Sequence, residues 1–186
     1  TVICSDKTGT LTKNEMTARK IYMNNKLVNV TGEGFDANGL FLFNNKRIAT
    51  EEFDRLFETI LLCNNANLNT KSDPTEKALL ILAKKAKYKI NARRIKEIPF
   101  SSKTKYMITE DDINGRKIKH IKGATEVVIE MCKYIEINGH KKVLTTEIRK
   151  QILEKQNEME SEALRVIGAA YENSDNYIFL GLIGMI

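Results

Sequence analysis

The sequence predicts an α+β domain, an antiparallel sheet flanked by helices, set into an α/β domain of which only the two ends are present. Three observations carry this expectation. An apolar, β-branched run, TVIC (Thr1 to Cys4), opens the chain as a buried parallel-type strand and gives way at once to the loop SDKTGTLT, Ser5 to Thr12. A long stretch then mixes short strands with amphipathic helices. The chain closes on YIFLGLIGMI, Tyr177 to Ile186, which reads as a second buried strand. The expected division is therefore a stub over 1–19, an inserted domain over 20–172 and a returning stub over 173–186. Both ends read as strands cut at their borders, so a fragment of a longer polypeptide is expected.

The elements of the insert follow in order. From Lys20 to Val30 polar and apolar residues mix as in strands, and GEGFDANG (Gly32 to Gly39) is a turn-rich loop. EEFDRLFETILLC places Phe53, Leu56, Phe57, Ile60 and Leu61 on one helical face. After the loop NNANLNTKS, the stretch DPTEKALLILAKKAK begins a helix with Asp73 as N-cap, Pro74 at the first helical position and Glu76 completing a capping-box pattern. EIPF and YMITE read as strands around the turn SSKTK, and RKIKHIKG as a strand ending at Gly123. ATEVVIEMC is a short helix. TTEIRKQILEKQNEMESEALR is a long one, with Ile148, Ile152, Met159 and Ala163 along a stripe. RVIGAAY and YIFLGLIGMI close as strands. No internal repeat is visible.

Composition narrows the function classes. The chain has 186 residues, 42% of them hydrophobic, which is enough for a real core. Its three cysteines, Cys4, Cys63 and Cys132, form no C-x-x-C pair, so neither a zinc site nor a disulfide framework is indicated, and a reducing cytoplasmic setting fits. No apolar run approaches the roughly 20 residues that span a bilayer. The net charge of +6 invites a nucleic-acid reading. Yet the lysines are dispersed among acids, as in KNEMTARK and IRKQILEK, and there is no tryptophan. A basic balance suits a small polyanion such as a nucleotide equally well.

SDKTGTLT carries chemistry of its own. A lone carboxylate, Asp6, can attack a phosphoryl group and form an acyl phosphate. Lys7 beside it offsets like-charge repulsion. Thr8, Gly9 and Thr10 supply hydroxyls and close backbone N–H groups for the phosphoryl oxygens. Mg²⁺, held by Asp6 and the Thr8 carbonyl, would spread the developing charge. A phosphatase of this design carries a second acid two residues after the nucleophile; here that place is Thr8, so water attack on the intermediate is expected to be slow.

The eight residues resemble the phosphorylation signature of the P-type ATPases, cation pumps that pass through an aspartyl phosphate. The resemblance implies that the outer domain is a Rossmann-like phosphorylation domain of the haloacid dehalogenase type. It implies that the insert is a nucleotide-binding domain with a sheet of about six or seven strands and a pocket on one face. Four further stretches match the family in order. In SDPTEKALL, Glu76 would approach the adenine amino group. In FSSKTKYM, Phe100 would stack on the base and Lys105 would face the ring or the phosphates; relatives carry Arg where this chain has Ser102, so no phosphate contact is expected there. In KGATEVVIEMC, with Thr125 in place of Pro, Lys122 would line the pocket floor and Gly123 would let the ligand approach the backbone. In LRVIGAAY, Arg165 would reach the phosphates. Singly, each stretch has an ordinary explanation: a helix cap, a core Phe before a hairpin, a strand end, a surface arginine. Their joint order with SDKTGTLT is specific. VTGEGFDANG and DPTEKALLILAKKA look most like the calcium-pump branch. The implied cofactors are ATP and Mg²⁺. The implied partners are the remaining phosphorylation, actuator and transmembrane domains, with the fragment itself a soluble monomer on the cytoplasmic side of a membrane protein. It would bind ATP without efficient turnover. A free-standing aspartate-nucleophile phosphohydrolase and a basic nucleic-acid-binding module are the alternatives.

Overall fold

Four asparagine-led dipeptides shape most of the sheet. Asn24–Asn25, Asn44–Asn45, Asn114–Gly115 and Asn138–Gly139 all adopt positive φ, between 50° and 83°. Paired positive φ at a two-residue loop gives the turn whose twist matches that of the flanking strands. The hairpins they close are β1 (Ala18–Met23) with β2 (Lys26–Val30), β3 (Phe41–Phe43) with β4 (Lys46–Arg47), β6 (Tyr106–Ile113) with β7 (Arg116–Gly123), and β8 (Cys132–Ile137) with β9 (His140–Val143). The computed structural model describes residues 15–173 and 176–186. The expectations placed on TVIC and on Asp6, Lys7, Thr8 and Thr10 lie outside these residues.

Three further strands complete one sheet: β5 (Arg93–Ile98), β10 (Arg165–Asn173) and β11 (Asn176–Met185). Its order is β4-β3-β2-β1-β11-β10-β7-β6-β5, with β8 joining β11 and β9 joining β8. All pairings are antiparallel except β8 with β11. The sheet has eleven strands among the described residues, more than the six or seven expected, because the two short hairpins β3–β4 and β8–β9 extend it.

Helices cover both faces. On one lie α1 (Asp54–Leu62), which follows a 3-10 turn over Glu51–Phe53, and α2 (Pro74–Lys85). Their buried residues Phe53, Leu56, Phe57, Ile60, Leu79 and Leu82 pack on Ile21, Val28, Ile167, Ile178 and Ile183. On the other lie α3 (Thr125–Met131) and α4 (Thr146–Ser161), where Val128, Ile129, Ile152 and Met159 pack on Ile121, Val166, Phe179 and Leu182. The α2 start is as read: Asp73 accepts from the Glu76 N–H at 3.0 Å, and Pro74 is the first helical residue. Ala163 does not belong to the α4 stripe. The helix ends at Ser161, and Ala163 lies exposed beyond it with φ 61°, turning the chain into β10.

The reading of 173–186 as a returning stub needs correction. β11 lies in the middle of the sheet, antiparallel to both β1 and β10. Residues Ile178 to Met185 are buried on both faces, which is why the segment reads as an unbroken apolar run. Such a run reports burial on two sides; it carries no information on strand direction. Gly181 is required here, since a Cβ would stand 2.3 Å from the Tyr22 carbonyl oxygen. Beside the end of β11, Thr17 and Ile186 exchange backbone hydrogen bonds of 2.8 and 3.0 Å, so the segments 15–17 and 186 run side by side.

Candidate functional site

At the end of β7, where β6 and β10 begin, the sheet faces the N-terminus of α2 across a cavity of about 480 Å³. Glu76, Phe100, Lys105, Lys122, Gly123 and Arg165 all line it. Four stretches separated by up to 89 positions (76 to 165) therefore meet at one place.

Each side chain is set by its element. Lys122 lies on β7 opposite Met107 of β6, on the face that α1 and α2 cover. It is 8% exposed, and its ammonium donates to Glu76 Oε1 at 2.6 Å. The capping box is thus half formed. Asp73 caps the helix, but the Glu76 carboxylate turns to Lys122 and, through Oε2, accepts from the Asn65 N–H at 3.3 Å. Phe100 follows β5 and is 54% exposed, an aromatic face left open at the cavity mouth. The turn after it is tied down: Lys105 N–H donates to the Ser101 carbonyl at 2.7 Å, and the Lys105 carbonyl accepts from Ala124 N–H at 2.9 Å. Lys105 holds φ 62°, and its ammonium reaches Glu126 only at 3.9 Å. Arg165 is exposed at the first position of β10, in register with Met185 and through it with Ala18.

Gly123 lines the cavity and also meets a neighbouring stretch of backbone closely. A Cβ there would stand 2.4 Å from the Lys105 carbonyl oxygen and 2.7 Å from Tyr106 Cα. The glycine admits the turn after Phe100 against β7; the close approach is between two stretches of backbone.

Sequence reasoning missed the apolar floor, Met107, Val166 and Ile167, and the polar wall residues Asn65 and Thr75. Alternation in KYMIT and RVIGA could have shown the floor. Nothing local marks Asn65. Asp73, read as a cap alone, also faces the cavity. The charges are therefore sorted: Asp73 and Glu76 sit at the α2 end, while Lys105 and Arg165 stand on the strand side. Such a cavity suits a molecule with an amine-bearing planar end and an anionic end.

Beside it the buried face stays polar. Cys63 Sγ lies 3.4 Å from the Met107 carbonyl, and burial pushes its thiol up to about 11, so it stays protonated. His120, fully buried, shares a 3.1 Å hydrogen bond between Nδ1 and Thr59 Oγ1. Burial first, then Arg55 and Arg94, lower its imidazole to about 3. Among the described residues, no group of three or more His, Cys, Asp or Glu side chains could hold a metal ion, and no helix is long and apolar enough to cross a membrane.

An eleven-stranded, largely antiparallel sheet with helices on both faces and a charge-sorted cavity at one end defines the class of domain. The family model for the P-type ATPase cytoplasmic domain N matches residues 52–186, and the chain belongs to that family. It is 36% identical, over its whole length, to "Calcium-transporting ATPase 1" of Bacillus cereus and to "Calcium-transporting ATPase type 2C member 2" of Homo sapiens. It is 34% identical, over 91% of its length, to "Calcium-transporting ATPase" of Bacillus subtilis. The chain spans 22%, 21% and 21% of these relatives in turn, about a fifth of each.

Proposed function

We propose that this chain is the ATP-docking part of a calcium-type cation pump. The observation that carries the reading is the convergence of Glu76, Phe100, Lys105, Lys122 and Arg165 on one cavity. The base would lie against Phe100, with its amino group toward Glu76, and the phosphates would run toward Lys105 and Arg165. The apolar floor of Met107, Val166 and Ile167 would exclude water from the base. The ordering favours this direction of binding, because carboxylates at the α2 end repel phosphates.

The family resemblance implies a second domain, of haloacid dehalogenase type, that would hold Asp6, and the adjacent course of 15–17 and 186 is compatible with insertion into it. In that arrangement the Asp6 carboxylate attacks the γ-phosphorus, an acyl phosphate forms, and ADP leaves. Asp6 and the Thr8 carbonyl would hold Mg²⁺, which supplies neutralisation of the charge that develops on the phosphoryl oxygens. Lys7, Thr8 and Thr10 would hold those oxygens. Thr8, standing where a phosphatase has an acid, leaves the acyl phosphate to be consumed by a change of conformation in the parent, whose membrane domain would carry the ion. The lack of that second acid and the membership of the N-domain family leave neither a free-standing phosphohydrolase nor a nucleic-acid module favoured.

Calorimetric or NMR titration with ATP and AMP tests this. Wild type should saturate, and Lys122→Ala and Phe100→Ala should each weaken binding about tenfold, the loss of a charge-assisted contact or an aromatic face. Saturation indifferent to both substitutions, or no saturation at all, would refute the assignment.

A further inference from the structure

Arg94 does not line the cavity, yet it is tied to the wall that does. β5 is irregular between Arg94 and Lys96, and a bulge of this kind re-aims side chains. Arg94 there stands opposite Asp111 of β6, and its Nε donates to Asp111 Oδ1 at 2.8 Å. Nη1 donates to Glu97 Oε2 at 2.8 Å and to Asn65 Oδ1 at 3.2 Å. Nη2 donates to the carbonyls of Leu62 and Asn64, at the C-terminal end of α1. A guanidinium carries five N–H donors, and all five find acceptors. The partner Glu97 closes the ring by accepting from Asn65 Nδ2 at 2.5 Å. Both ends of the Asn65 amide are thus occupied, and its backbone N–H is left to Glu76 Oε2, the carboxylate that pairs with Lys122.

We propose that Arg94 is a positioning residue for the cavity: with Glu97 it fixes Asn65, and through Asn65 it fixes the Glu76–Lys122 pair that a nucleotide base would meet. This rests on the nucleotide reading for its ligand and on geometry alone for the positioning. Lysine cannot replace the fork. It keeps the charge beside Asp111 but presents one nitrogen, which cannot reach three segments at once.

The test uses the whole chain with ATP as probe. Arg94→Lys is compared with wild type, each also in an Asn65→Ala background. Backbone and side-chain amide exchange at Asn65 is followed by NMR. Arg94→Lys should speed exchange at Asn65 about tenfold or more while amides of β10 and β11 are unchanged. It should weaken ATP binding on the order of tenfold with Asn65 present and less than about twofold once Asn65 is alanine, the non-additivity expected of one network. Glu97→Gln is the second variant if Arg94→Lys does not fold, with the same expectations. Unchanged exchange at Asn65, or an equal loss of affinity in both backgrounds, overturns the proposal. If wild type itself does not bind ATP, the nucleotide reading falls, and exchange at Asn65 still decides whether Arg94 positions the wall.

Discussion

One face of the sheet, the one under α1 and α2, has two halves of opposite character. Across β1, β2 and β11 it presents Ile21, Met23, Val28, Val30, Leu180, Ile183 and Met185, all buried. Across β6 and β7 it presents Met107, Thr109, Asp111, His120 and Lys122, equally buried. The first half is held by the removal of apolar surface from water, worth about 25 cal/mol per Å². The second cannot be, because each polar group left without a partner there costs about 1–3 kcal/mol. It is held instead by ionic and hydrogen-bonded links that run through Arg94, Glu97, Asn65, Glu76 and Lys122. Thr109 Oγ1, Asp111 Oδ2 and His120 Nε2 find no partner among the described residues, so the polar half is also the less satisfied one. Departures of this kind concentrate at functional sites, and the cavity lies at the end of this half.

The contrast can be broken most severely on the apolar side. Phe57 is fully buried and meets Phe41 edge-on, with ring centroids 5.8 Å apart. Phe57→Ala should cost about 3–5 kcal/mol, read as a lowered midpoint in urea unfolding. On the polar side, Glu76→Ala strands the Lys122 ammonium, which is 8% exposed, and should cost about 1.5–3 kcal/mol, the worth of a hydrogen bond to a charged group. The double variant Glu76→Leu with Lys122→Met should recover most of that stability while ATP binding stays lost. Recovery of both, or of neither, would show that the pair does not serve the site at the expense of packing.

Gly123→Ala should be milder, about 1–3 kcal/mol, because the clash with the Lys105 carbonyl forces the turn after Phe100 outward. Its mark is a change in the Ser101–Lys105 amide resonances with α1 unaffected. A further effect accumulates as a slope. His120 takes up a proton near pH 6.5 when unfolded but only near 3 when folded. The unfolded chain therefore binds more protons between those values, and stability falls as pH drops from about 6.5 toward 3, by up to about 1.4 kcal/mol per pH unit. His120→Gln should flatten that segment of the curve relative to wild type. An unchanged slope in urea midpoints measured between pH 6.5 and 4 would remove His120 as its source.

Sequence alone determined much of this protein. The start of α2 was legible because a cap is a local contact among residues three apart, and Asp73 makes it. The end of β7 at Gly123 and the core faces of α1 and α4 followed from periodicity, which samples neighbours on one element. The asparagine dipeptides were equally local, and could have shown the four hairpins. Glu76, Phe100, Lys105, Lys122 and Arg165 were found through resemblance, since their types alone mark no site.

Only the tertiary structure decided the rest. The direction of β11 depends on which strands lie beside it, and an apolar run buried on both faces is the same in either orientation. One steric demand for Gly123 lies in the Lys105 carbonyl, eighteen residues away along the chain and 2.4 Å from an absent Cβ. Asn65 and Arg94 became part of one hydrogen-bond network only when β5, β6 and the end of α1 closed around a guanidinium. Hydrogen bonds between distant segments leave no period in a sequence, so what local propensity cannot encode, the packing of the sheet must supply.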